Sequence, residues 1–146
     1  MIKIIEISKA DEKTLSAVNR LLPQLSKSAQ PISILTLEKL TSSESFRLFL
    51  AKEDESILGM VSLVLISIPT GSKSWIEDVV VEEKARGKGV GKKLVKYALE
   101  EAAKFGAKSV DLTSRPTREA ANQLYQSIGF KIRETNVYRY KLRLFE

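Results

Sequence analysis

The sequence predicts an α/β (α+β) fold of about seven strands and about four helices in one domain, residues 1–146. Three observations predict it. Short β-branched runs alternate with stretches of helical period, and polar or glycine-containing turns separate them. No repeat, low-complexity segment or linker interrupts a length that fits one hydrophobic core.

Residues 2–7 (IKIIEI) read as an opening strand. Asp11 then starts a helical pattern, with Leu15, Val18, Leu21, Leu22 and Leu25 at three- and four-residue spacing. Pro23 is expected to bend or end that helix. A short helix is expected over 35–40, with Ser42 and Ser43 at its exit. Strand-like runs at 46–52 and 57–68 flank the polar turn 53–56, and Gly59 marks a candidate bulge. Residues 69–72 read as a turn and 75–81 as a strand. From Gly89 to Phe105, the residues Val90, Leu94, Ala98, Ala102 and Phe105 form an apolar helical stripe that Gly106 terminates. A strand over 108–113 follows, then a helix opening at Pro116, with Glu119 in its first turn, and stopping at Gly129. Residues 130–133 and 137–142 read as a closing hairpin around Thr135-Asn136.

The chain has neither histidine nor cysteine. Imidazole-based zinc sites and nucleophile systems of the Ser-His-Asp or Cys-His kind are thereby excluded, and no metal is expected. The missing cysteine and an N-terminus too short and too charged for a signal peptide or membrane span give a cytoplasmic expectation. With 24 Lys and Arg against 18 Asp and Glu, the formal charge is +6, which favours a polyanionic partner.

The most informative stretch joins a strand, a polar loop, a glycine-rich turn and a helix: residues 75–81, then Arg86-Gly87-Lys88-Gly89-Val90-Gly91-Lys92-Lys93. At such a turn the free backbone N–H groups and the positive helix end converge, a ready site for phosphate. Spacing separates the possible phosphate sites. A nucleoside-triphosphate loop needs glycine five residues before Gly91, where Arg86 stands, and Ser or Thr at Lys93. A dinucleotide fingerprint needs glycine where Lys92 stands. The pattern that fits is Arg/Gln-x-x-Gly-x-Gly/Ala, here Arg86 to Gly91.

Preceded by Glu77-Asp78-Val79-Val80-Val81 and followed by Ala121-Asn122-Gln123-Leu124-Tyr125 and Gly129-Phe130, this turn resembles the GNAT superfamily of acyl-CoA N-acyltransferases over essentially the full length. The resemblance implies a mixed, mostly antiparallel sheet splayed between strands 75–81 and 108–113. It implies acetyl-CoA as co-substrate, its pyrophosphate held by the backbone of Gly87, Lys88, Gly89, Val90, Gly91 and Lys92, with Arg86 adding charge. Main-chain groups of Val79 and Val81 would pair with the pantetheine arm, and the N–H near Val79 or Val80 would polarise the thioester carbonyl. Tyr125 matches the general acid that protonates the departing thiolate; a phenol of pKa about 10 is still protonated at neutral pH.

Two positions depart from the commoner pattern. Arg118 stands where many members carry a pantetheine-binding asparagine; Asn122, one turn on, could substitute, leaving Arg118 for a CoA phosphate. Thr113 replaces the glutamate base of members that acetylate ribosomal protein N-termini. The base should then be Glu77 or Asp78. Plain alternation puts Trp75, Glu77, Val79 and Val81 on one face and Ile76, Asp78 and Val80 on the other, so one carboxylate at most faces the cleft. The string Ile76 to Val81 before Arg86-Gly87-Lys88 is also similar to glucosamine-6-phosphate N-acetyltransferases, which suggests one candidate acceptor.

The reading that follows is an N-acetyltransferase moving acetyl directly to a primary amine, of a small molecule or a protein, in a ternary complex. The alternative is a non-catalytic acyl-CoA-binding regulatory domain on the same fold. Nucleic acid is the weaker reading of the positive charge, because aromatic and basic residues interleave only at Tyr138-Arg139-Tyr140-Lys141. No membrane partner is expected, and a homodimer is compatible with the sequence. The acceptor site is expected along 15–45 and 130–142.

Overall fold

The computed structural model describes residues 1–143. They fall into two compact units, one of Met1–Thr113 and one beginning at Ser114.

The first unit is a five-stranded sheet in sequential order, β1 (Ile2–Glu6), β2 (Phe46–Glu53), β3 (Ser56–Ile68), β4 (Gly71–Val81) and β5 (Val110–Asp111). The first three pairings are antiparallel and β4–β5 is parallel, so the sheet is mixed. Between β1 and β2 lie α1 (Glu12–Leu25) and α2 (Ile34–Ser42). Asp11 starts α1 as expected, whereas α2 opens one residue before the expected 35–40, on a Ser33 cap that the sequence reading did not name. The Asp11 carboxylate accepts from the Thr14 N–H at 2.7 Å, and the Ser33 hydroxyl accepts from the Thr36 N–H at 3.1 Å. Pro23 does not end α1; it sits inside the last turn, and the helix closes two residues on at Leu25.

The two helices bury their apolar faces on one side of the sheet. Val18, Leu21 and Leu37 pack there with Leu48, Leu50, Met60 and Val80. Leu21 and Leu37 are fully buried, each contributing about 1.5–3 kcal/mol of hydrophobic stabilisation. The other face, carrying Phe49 and Gly59, is covered by α3 (Val90–Phe105), whose Tyr97 ring meets Phe49 edge-on at 5.1 Å. Of the expected α3 stripe, Val90, Leu94, Ala98 and Ala102 are buried, whereas Phe105 is 38% exposed at the helix end.

Three expectations need correction. The sheet of unit 1 has five strands rather than about seven, and its last strand covers only 110–111 of the expected 108–113. The closing hairpin is absent: residues 130–143 carry no strand, and Ile132, Val137, Tyr138, Tyr140 and Leu142 are exposed. The alternation that suggested strands there is real, but it stabilises pairing only where one face is covered, and a lone two-stranded ribbon is marginal in water. The helix expected from Pro116 begins at Glu119, after a turn, with Arg118 at its cap.

The second unit centres on that helix, α4 (Glu119–Ile128). It is closed by Gly129, at a φ of 126°, whose N–H donates to the Tyr125 and Gln126 carbonyls.

Candidate functional site

Two features of β4 set the local geometry. The first is its free edge. β4 pairs with β5 only at Ser74–Val110 and Trp75–Asp111, so among the described residues no strand pairs with 76–81 on that side. The second is a bulge. Against β3, Ser62 pairs with Glu77 but Met60 pairs with Val80, so Asp78 and Val79 together oppose one residue, Val61. Asp78 takes a φ of 49°, a left-handed conformation that aspartate tolerates better than most residues yet still adopts at a cost. Such an outlier is held by the surrounding fold and is itself a pointer to function.

The bulge changes the faces. Plain alternation would separate Val80 from Glu77, but the extra residue brings Val80, through Met60, onto the face that Glu77 shares with Ser62. That is the face covered by α1 and α2, while Val81 pairs with Gly59 toward α3. Both carboxylates are exposed. Partial desolvation, and then the charge of Asp78, hold the Glu77 pKa above its ordinary value of 4.5.

Past Val81 the chain enters a short 3₁₀ turn, Glu83–Ala85, with Ala85 buried. Gly87 and Gly89 follow at φ values of 86° and 78°, conformations in which glycine alone is unstrained. A Cβ built on either would meet nothing within 4 Å, so both positions face open space. The first backbone bond of α3 runs from the Lys93 N–H to the Gly89 carbonyl at 3.1 Å. The N–H groups just before it therefore have no acceptor within the helix, and the helix dipole adds partial positive charge. Arg86, Lys88, Lys92 and Lys93 are exposed around the turn. This donor set fits a pyrophosphate.

The remaining candidates lie in the second unit. Burial pushes the Tyr125 phenol above its ordinary value, opposed by the Arg118 charge, and its ring meets Phe130 edge-on at 5.9 Å. The Asn122 side-chain amide donates to the Arg115 carbonyl at 2.9 Å, which ties it to the turn before α4.

Sequence reasoning missed a cluster beside the turn. Arg20, on α1, ion-pairs with Glu82 and donates a second N–H to the Ile57 carbonyl at 2.8 Å. Gln24, one helical turn on, donates to the same Glu82 carboxylate at 3.1 Å and accepts from the Glu83 N–H at 2.9 Å. The only sequence signal was their four-residue spacing, which says nothing about a partner about sixty residues away.

An open strand edge running into a glycine turn at a helix N-terminus suits one class of proteins, those that hold an extended ligand ending in phosphate. The comparisons make the class specific. The model of the "Acetyltransferase (GNAT) family" matches residues 15–130. The chain is 36% identical over 105 residues to the uncharacterized N-acetyltransferase YhdJ of Bacillus subtilis (strain 168), covering 70% of this chain and 73% of that one. It is 29% identical over 115 residues to N-alpha-acetyltransferase 30 of Xenopus laevis, covering 78% of this chain but spanning only 42% of that longer relative. Among solved structures, an aminoglycoside acetyltransferase from an uncultured soil metagenomic sample superposes with a TM-score of 0.86 at 20% identity, covering 97% of this chain and 96% of that one. The aminoglycoside N-acetyltransferase AAC(6')-Iy, solved in complex with CoA, gives 0.81 at 17% identity, covering 97% and 95%. At those identities the two structures speak for the fold alone. The chain belongs to the GNAT acetyltransferase family, and it is an N-acetyltransferase by that membership.

Proposed function

We propose that the protein transfers the acetyl group of acetyl-CoA to a primary amine by direct attack within a ternary complex. The observation that carries this reading is the unpaired edge of β4 beyond Trp75, leading into the turn at Gly87 and Gly89. An acyl-pantetheine arm can hydrogen-bond to such an edge as an added strand. Its pyrophosphate would then take the N–H groups at the start of α3. Backbone of Val79, Val80 and Val81 would serve the arm and the thioester carbonyl, the bulge at Asp78 freeing N–H groups from the ladder. Arg118 and Asn122 are assigned to the cofactor and Tyr125 to protonation of the leaving thiolate, on the motif they match.

Glu77 is the better candidate base. It lies on the face covered by α1 and α2, where the acceptor is expected, and its raised pKa gives its carboxylate more basicity than an ordinary one. The acceptor is read as a small-molecule or protein amine. The whole chain acts as one catalytic domain in this reading.

Binding comes first as a test. Acetyl-CoA at about one hundred times its dissociation constant should stabilise the fold by about 2.7 kcal/mol, with ATP and NAD as comparators. No melting shift at millimolar acetyl-CoA would remove the cofactor from the account. An amine panel read by thiol release then identifies the acceptor.

The Glu77→Gln variant separates catalysis from stability. A carboxyl whose folded pKa is raised holds its proton more tightly folded than unfolded, so its ionisation opposes folding. That penalty is absent below the ordinary value of 4.5 and complete above the raised one. At neutral pH, Glu77→Gln should melt no lower than the parent while turnover falls. Asp78→Asn should leave turnover much less affected; the reverse ranking in thiol release would move the base to Asp78.

A further inference from the structure

The glycine turn has little of its own to hold it in place. Its residues 86–89 are exposed, and Gly87 and Gly89 offer no side chains. Its position must therefore come from the segments on either side. On one side Val90 and Leu94 anchor α3 in the core. On the other side lies the lead-in 82–85, and here the anchoring is polar and comes from α1.

Glu82 is the centre of that anchor. Its N–H donates to the Leu58 carbonyl at 2.7 Å, and its side chain, 18% exposed, takes both Arg20 and Gln24. Gln24 also accepts the next N–H, that of Glu83, and Arg20 reaches the Ile57 carbonyl beside Leu58. Two side chains of one helix thus bind the end of β4, the start of the 3₁₀ turn and the start of β3 together. The Glu82 carbonyl then accepts from the Ala85 N–H at 2.8 Å, carrying the constraint to the residue before Arg86.

We propose that Arg20 and Gln24 are positioning residues for the anion-binding turn, fixing its approach without touching the ligand. The inference rests on the proposed acetyl-CoA site. As a contribution to folding, the cluster is small, because Arg20 is 48% exposed and exposed ion pairs contribute about 0–1 kcal/mol. Its effect on binding is expected to be larger. A row of N–H groups aimed at one pyrophosphate loses its advantage when displaced, because each hydrogen bond weakens steeply with misalignment and those to a charged group are worth more than neutral ones.

The test is calorimetric titration with acetyl-CoA of the parent, Arg20→Gln, Gln24→Leu and Arg20→Lys, with the melting temperature of each ligand-free protein. Arg20→Gln and Gln24→Leu should each weaken binding by about tenfold or more, the scale of one hydrogen bond to a charged group. Their melting temperatures should stay within about 4 °C of the parent. Arg20→Lys, which can still pair with Glu82, should recover most of the affinity; a merely structural defect would not distinguish lysine from glutamine in this way. Parent-like affinity in both Arg20→Gln and Gln24→Leu would overturn the proposal, as would equal weakening in Arg20→Lys. Failure of the parent itself to bind acetyl-CoA would instead overturn the cofactor reading on which the proposal stands.

Discussion

Gly91→Asp should abolish CoA binding and leave the protein as stable as its parent, or slightly more so. The two effects have opposite signs because the same carboxylate meets two different partners. Gly91 lies in the first turn of α3, in helical backbone, so a side chain there needs no unusual φ. A negative charge at that end favours the helix dipole by about 0.3–1 kcal/mol. It would also stand among the N–H groups assigned to the pyrophosphate, adding charge repulsion and filling the space. Gly89→Asp should lose binding as well, but at a φ of 78° it also strains the backbone, so Gly91 gives the cleaner measurement. Calorimetric titration with CoA beside a thermal melt reads both effects. A folded Gly91→Asp protein that binds CoA normally would reduce the turn to a helix cap.

Tyr125→Phe should lower turnover by about 10²–10⁴-fold while acetyl-CoA affinity hardly changes. The substitution removes one oxygen and keeps the ring that packs against Phe130 at 5.9 Å. Because burial raises the phenol above its ordinary value, the group remains a proton donor throughout the neutral and mildly alkaline range. Loss of the acid should be confined to high pH. A tyrosine that only fills space predicts near-normal turnover and at most a small change in melting temperature. With a saturating amine from the acceptor panel, near-normal kcat in Tyr125→Phe would leave the thiolate to be protonated by water.

Local chemistry made much of this fold readable. Asp11 announces a helix start because its side-chain oxygen satisfies an N–H group a turn ahead, wherever the helix later docks; Ser33 does the same for α2 and was missed. The glycine turn was readable for a similar reason: positive φ and close approach restrict residue choice at Gly87 and Gly89 themselves. Pairing decisions are different. Residues 137–142 alternate like a strand, but whether they find a partner is decided elsewhere in the chain. The bulge was hidden behind a run of valines, where Asp78 was its one sign, and it reassigned Val80 to the face of Glu77. Gly59 was a near miss as a bulge marker. The β2–β3 register slips at its neighbour, with Ala51 opposite Gly59 and Lys52 opposite Ile57, leaving Leu58 as the extra residue. The Arg20–Glu82–Gln24 cluster was beyond sequence reasoning, because three exchangeable polar residues carry no mark of one another.

Gly59 itself acts as a spacer made of nothing. A Cβ there would lie 2.8 Å from the Val80 carbonyl oxygen, 3.1 Å from Leu94 Cδ1 and 3.3 Å from Val90 Cγ1. The first neighbour belongs to the strand just past the bulge, and the other two to the early turns of α3, whose N-terminus is the proposed pyrophosphate site. One methyl group would wedge strand and helix apart from behind. In the proposed site, the span between the strand edge and the glycine turn would then no longer suit the pantetheine arm and pyrophosphate together. In the proposed acetyl-CoA site, the spacing between strand edge and turn would thus be kept by Gly59, a buried residue. Under the proposed reading, any redesign of this protein that is to keep acetyl-CoA has to leave position 59 bare.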